Sequence, residues 1–103
     1  MVYEMRTYSL YPGKVPEFEA LIEQEALPHL RKYAELIGWW STEIGPLNEV
    51  IHLWAYTDMG ERERSRKRQA EDSTLAAFRP KAQQLVVRQE SKILMPSSFS
   101  PLQ

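Results

Sequence analysis

The sequence contains no cysteine, which excludes disulfides, thiolate nucleophiles and cysteine-based metal sites. Histidine is scarce too. The two present, His29 and His52, lie far apart and match no metal-ligand spacing, so no metal centre is expected. No apolar run approaches the ~20 residues of a membrane span. A strand pattern begins at Val2 with no targeting segment before it, and a cytoplasmic location is the default expectation. An excess of charge of one sign is also missing: 13 Lys and Arg stand against 14 Asp and Glu, for a net charge of -1. That balance argues against a general nucleic-acid binder and against a membrane-surface binder. A nucleophile elbow, a P-loop and a dinucleotide fingerprint are all absent, and no cofactor is expected.

What is there fits one soluble domain. The chain has 103 residues, 43% hydrophobic and 26% charged. A chain of that size buries roughly 65% of its unfolded surface, enough for one core. The domain is expected over residues 1–95. The tail 96–103 is Pro/Ser-rich and irregular, with Phe99 and Leu102 as its anchors.

Residues 2–10 mix β-branched and aromatic side chains and end at the turn signal Pro12-Gly13, which predicts a first strand. Its alternation puts Tyr3, Met5 and Thr7 on one face and Glu4, Arg6, Tyr8 and Leu10 on the other. From Pro16, apolar residues recur at three- and four-residue steps up to Ile37. They predict an amphipathic helix, kinked at Pro28 and ended by Gly38. A hairpin follows. With a four-residue loop at 45–48, Ile44 faces Glu49 and Trp39 faces Trp54. One face then carries Trp40, Thr42, Ile44, Ile51, Leu53 and Ala55, an ordinary core set. The other carries Trp39, Ser41, Glu43, Val50, His52, Trp54 and Tyr56.

Asp58 and Glu61 have capping-box spacing and start a second helix that runs to about Ala70. Residues 71–74 break it, a short helix covers 75–78, and Arg79-Pro80 punctuates again. Residues 84–95 form the last strand, with Leu85, Val87 and Ile93 toward the helices and Arg88, Glu90, Lys92 and Leu94 on the other face. The order strand, helix, strand, strand, helix, strand is the ferredoxin-like βαββαβ of the α+β class. Its antiparallel sheet has helices on one face only. The opposite face, expected to be the one bearing Trp39, Trp54 and Tyr56, must find cover. A homodimer through the sheet face is the expected answer.

Several stretches carry a family resemblance: Tyr3-Glu4-Met5-Arg6-Thr7-Tyr8 with Pro12-Gly13-Lys14, Thr42-Glu43-Ile44-Gly45-Pro46-Leu47-Asn48, His52-Leu53-Trp54-Ala55-Tyr56, Glu61-Arg62-Glu63-Arg64, and Gln89-Glu90-Ser91. Together they resemble a NIPSNAP domain over nearly the whole chain. The resemblance implies a dimeric α+β barrel, in which two ferredoxin-like sheets pack face to face. It implies no established reaction.

The candidate polar cluster is His52, Arg6, Glu90 and Glu43, all assigned to the barrel-facing side. His52 would serve as a general acid or base near neutral pH. Arg6 would hold a carboxylate or an enolate oxygen. Glu90 or Glu43 would orient the imidazole, and Arg6 and Glu90 are expected to pair. Trp39, Trp54, Tyr8 and Tyr56 would wall in an apolar or aromatic small-molecule ligand. The same residue types suit a dimer interface, which carries somewhat more weight than a catalytic site. Two functions therefore stand side by side: a protein that binds or transforms a small molecule in the barrel, and a non-enzymatic homodimeric interaction module. The arginine-rich run Glu61 to Arg68 reads as a solvated helix face, Trp40 as core, and His29 as a surface or capping residue.

Overall fold

The first strand, β1 (Val2–Leu10), occupies the segment that the β-branched and aromatic pattern picks out. The computed structural model describes residues 1–103. β2 (Glu35–Ser41), β3 (Glu49–Tyr56) and β4 (Val86–Leu94) complete one sheet of order β2-β3-β1-β4, all pairs antiparallel. This is the ferredoxin-like order. Strand β1 sits between β3 and β4, so residues from both ends of the chain meet at its centre.

The first helical segment departs from a single long helix. α1 (Val15–Leu21) starts with Pro16 in its first turn, gives way to a π-helical turn over Ile22–Ala26, and resumes as α2 (Leu27–Leu30). Pro28 has no N–H to offer the Gln24 carbonyl. The turn before it widens, and the Leu27 N–H bonds the Ile22 carbonyl five residues back. The predicted continuation to Ile37 is wrong. Residues 35–37 belong to β2, where Glu35 and Leu36 pair with Ala55 and Trp54. Their apolar side chains fit either period, and the backbone bonds offered by β3 decide the matter. Ile37 is accommodated as a bulge between Leu36 and Gly38. Beside it, the Trp40 indole folds back over Gly38, where a Cβ would stand 2.4 Å from the ring.

The hairpin slips by two residues from the predicted register. Trp40 faces Ile51, Ser41 faces Val50, and the Thr42 N–H bonds the Glu49 carbonyl at 3.0 Å. A shift of two preserves which residues share a face. It lengthens the loop and leaves Ile44 and Leu47 exposed at its tip.

Asp58 caps α3 (Met59–Glu71) by accepting from the Glu61 N–H at 2.8 Å, and Glu61 reaches back to the Thr57 N–H. The expected break at 71–74 shrinks to Asp72 alone. Asp72 caps α4 (Ser73–Gln83) through the Thr74 and Leu75 N–H groups. Pro80 does not end this helix. It removes one bond near the C-terminus, and the last turn continues past it.

Helices cover one sheet face, and the molecule is 19 Å thin along its short axis, the depth of two layers. The main core joins Phe18, Ile22 and Ala26 to Leu75, Phe78 and Ala82 over Leu10 and Val50. A second cluster holds Val2, Trp54 and Tyr56.

The choice of covered face reverses the expectation. Glu4, Arg6, Tyr8 and Leu10 of β1 lie under the helices with Val50, His52, Trp54 and Tyr56 of β3 and with Trp39. The face of Tyr3, Met5, Thr7, Ile51, Leu53 and Trp40 is the one without helices; Tyr3 is buried there and bonded to the tail, whereas Trp40, read as core, is 53% exposed. Alternation fixes the two sets but does not say which the helices take. The helices take the more polar set because its charges find partners there. In the tail, Phe99 is 88% exposed and anchors nothing. The contact that ties residues 96–103 down is the Tyr3 hydroxyl donating to the Gln103 carbonyl at 2.9 Å. No helix is long and apolar enough to cross a membrane.

Candidate functional site

The antiparallel ladder places Arg6 opposite His52, Glu4 opposite Trp54 and Tyr8 opposite Val50, while Trp39 faces His52 from the other side. Their side chains share the helix-covered face, and all but Val50 line a cavity of about 490 Å³ between sheet and helices. Its walls are largely apolar and aromatic, from Tyr8, Phe18, Trp39, Trp54, Tyr56 and Phe78.

His52 is fixed from three directions. Trp39 stacks on it, ring centres 4.1 Å apart and planes 12° from parallel. Tyr8 meets it edge-on at 4.8 Å. The Trp54 indole N–H donates to His52 Nδ1 at 2.6 Å. An indole nitrogen can only donate, so Nδ1 must be the unprotonated nitrogen, and the neutral ring carries its proton on Nε2. Nε2 is buried and has no hydrogen-bond partner in the protein. Burial first, and the nearby Arg6 charge second, push the His52 pKa down to about 3. His52 is therefore neutral at pH 7, and its buried Nε2 is an N–H donor. The expected proton shuttle near neutrality does not fit this environment.

Below the histidine lies an ion cluster centred on Glu4, which is 1% exposed. Arg62 of α3 grips it with two bonds, Nε to Oε1 at 2.9 Å and Nη2 to Oε2 at 3.0 Å. Arg6 Nη1 at 3.0 Å and the Ser91 hydroxyl at 2.5 Å also donate to Oε2. Burial alone would raise the Glu4 pKa. The bonds from Arg62 and Ser91 and the charges of Arg6 and Arg62 outweigh it and hold the carboxyl at about 2. Arg6 also donates from Nε to the Tyr8 hydroxyl at 2.9 Å.

Of the residues anticipated from sequence, Arg6, Tyr8, Trp39, His52, Trp54 and Tyr56 come together at this cavity. They meet under the helices, not in a barrel interior. Glu90 and Glu43 are elsewhere. Glu90 lies opposite Thr7 on the uncovered face, its nearest charge being Arg88 at 3.4 Å, so it cannot pair with Arg6. The face assigned to Glu90 holds; the face assigned to Arg6 is the one that reverses. Glu43 is exposed in the hairpin loop because the two-residue slip removes it from the strand.

Sequence reasoning missed Glu4 as the hub, along with Arg62, Arg66, Arg79 and Ser91. The signal was present in α3, where Arg62, Ser65, Arg66 and Gln69 recur at helical steps along one face. That face is directed at the sheet: Arg62 reaches Glu4, Ser65 is buried, and Arg66 and Gln69 line the cavity. His29 stands apart, with Nδ1 3.5 Å from Asp72, which also accepts from the Tyr33 hydroxyl at 2.7 Å. No group of three His, Cys, Asp or Glu side chains is placed to hold a metal ion.

Comparisons with known proteins agree over the whole chain. The NIPSNAP family model matches residues 3–101. Protein NipSnap homolog 1 of Danio rerio is 35% identical over 102 residues, which is 99% of this chain but only 36% of that relative. Among solved structures, an uncharacterized NIPSNAP domain protein from Burkholderia xenovorans superposes with a TM-score of 0.95 at 42% identity, covering 98% of this chain and 99% of that one. Protein Atu4242 from Agrobacterium tumefaciens gives a TM-score of 0.97 at 38% identity, with both chains covered completely.

Proposed function

The chain belongs to the NIPSNAP family, and we propose that it binds a small apolar or aromatic molecule in the cavity between its sheet and helices. The observation that carries this reading is the cavity itself. About 490 Å³ is room for a small organic molecule, its walls are aromatic, and a buried His52 N–H beside it has no partner. The space opens to solvent past Arg66, Ala70, Gln83 and Gln89, which gives a ligand a way in, and the buried donor beside it is unsatisfied by protein. Binding is the function supported here. The neutral, tautomer-fixed His52 offers a hydrogen bond rather than a base at neutral pH.

A thermal-shift screen with small aromatic and aliphatic compounds tests it. Compounds that occupy the cavity raise the melting temperature of the wild-type protein. Ala70→Trp, at an exposed position on the cavity wall, blocks the response while leaving the fold intact. If Ala70→Trp responds like wild type, the ligands bind elsewhere and the reading is wrong.

A second element of the proposal concerns the open sheet face. Trp40, Met5, Ile51 and Leu53 form an apolar surface there, with Trp40 53% exposed. A second copy of the chain packed sheet to sheet would cover it, giving a homodimer. The ligand site stands on one chain and does not depend on that contact.

A further inference from the structure

The charges around the cavity do not follow the composition of the chain. The whole protein carries a net charge of -1, yet three arginines, Arg6, Arg66 and Arg79, line the cavity against a single carboxylate, Glu4. That carboxylate has little left to give. Oε1 accepts from Arg62, and Oε2 accepts from Arg62, Arg6 and Ser91. It faces protein donors and is unsuited to hold a ligand cation.

What remains unspent beside it are donors. Arg6 uses Nε and Nη1 on Tyr8 and Glu4, and its Nη2 makes no hydrogen bond to protein. The Tyr8 hydroxyl accepts from Arg6 and keeps its own O–H to give. His52 accepts on Nδ1 and therefore carries an N–H on Nε2, buried without a partner. These three residues are neighbours on one wall of the cavity. Arg6 and His52 are direct ladder partners, the Tyr8 and His52 ring centres are 4.8 Å apart, and the Arg6 guanidinium lies 5.5 Å from the Tyr8 ring centre. An unpaired buried N–H is unfavourable, and a ligand oxygen that enters by a small displacement of the side chains packed over Nε2 would give it a partner.

We propose that the cavity selects apolar molecules that carry an anionic oxygen, of the carboxylate or enolate type, and that Arg6, Tyr8 and His52 are the groups that receive that oxygen. The aromatic walls hold the apolar body, the guanidinium supplies charge, and the two neutral donors fix the oxygen's position. The inference rests on the ligand-binding reading above and adds the chemical class of the ligand.

Calorimetric titration of the full chain with matched pairs tests it: 2-naphthoate against 2-naphthylmethanol, and octanoate against octanol. A charge-assisted hydrogen bond predicts that the anion of at least one pair binds about tenfold or more tightly than its alcohol. Arg6→Gln and Tyr8→Phe should each narrow that ratio. If Arg6→Gln fails to fold, because Arg6 also braces Glu4, the wild-type ratio and Tyr8→Phe carry the test. Equal binding of anion and alcohol in both pairs overturns the assignment while leaving the cavity a ligand site. An anion preference unchanged in the variants overturns the roles of Arg6 and Tyr8. Failure of all four compounds to bind the cavity removes the underlying reading and this one with it.

Discussion

Two buried ionisable residues, His52 and Glu4, carry large pKa shifts that couple folding to pH. The pKa of His52 is depressed from 6.5 to about 3, so the unfolded chain takes up a proton that the folded chain refuses. Its contribution is complete above pH 6.5 and is lost as pH falls from there toward 3. Glu4 is depressed from 4.5 to about 2, so its contribution is complete above 4.5 and is lost as pH falls toward 2. Acid should therefore weaken the wild-type protein in two stages. His52→Phe should remove the first, flattening the stability curve between pH 6.5 and 4.5 relative to wild type in urea titrations. The effect at pH 4.5 is on the order of 2–3 kcal/mol. Identical slopes in the two proteins would show that His52 titrates normally.

Glu4 also supports a sharper comparison. Breaking a buried ion pair leaves a charge without a partner, and Glu4→Gln should cost roughly 3 kcal/mol of folding stability. A double-mutant cycle between Glu4 and Arg62 should show strong coupling. The cycle between Arg6 and Glu90 should show additivity, because the two lie on opposite faces. The reverse pattern would mean that the strands are paired in another register. None of this was legible at the residue scale. Alternation assigns Glu4 and Arg6 to one face correctly, but nothing local says that Arg62, 58 residues away, completes their charge balance.

Among the elements, period-two alternation survives the structure best. The hairpin partition holds despite a slip of two residues, since only an odd slip would mix the faces. Helix ends read less well. Residues 35–37 join β2 because β3 offers them backbone partners, and Pro80 is carried within α4 because it sits near that helix's end. Both outcomes depend on neighbours that the local sequence does not contain. The bulge in β2 supplies a test. A methyl group at Gly38 would overlap the Trp40 ring, which is half exposed and free to turn. Gly38→Ala should therefore change stability by less than about 1 kcal/mol while releasing Trp40 into solvent. Increased acrylamide quenching of tryptophan fluorescence would report that release. A large stability loss with unchanged quenching would show that the ring is held in place.

At the scale of the molecule, the sequence pattern yields the ferredoxin-like order and the existence of one uncovered face, but it assigns that face to the wrong residues. Helices cover the polar set, where Glu4 pairs with Arg6 and with Arg62 of α3, a long-range match invisible to periodicity. The open face that remains is the more conventionally apolar one, with Trp40 on its edge strand β2. If a second copy covers it, sedimentation at micromolar concentration should give twice the 12.1 kDa chain mass, and Trp40→Glu should restore the single mass. A wild-type protein that sediments as a monomer would leave the open face without the partner proposed for it.

The three tryptophans report directly on where a ligand sits, because Trp39 and Trp54 line the cavity while Trp40 lies on the opposite face. Nitrogen-15 spectra of the indole N–H groups can be followed as 2-naphthoate is titrated into the wild-type protein. Occupancy of the cavity should move the Trp39 and Trp54 signals and the His52 Nε2–H together with one saturating dissociation constant, while Trp40 stays in place. Movement of Trp40 alone, or a titration in which Trp39 and Trp54 do not respond, would contradict it.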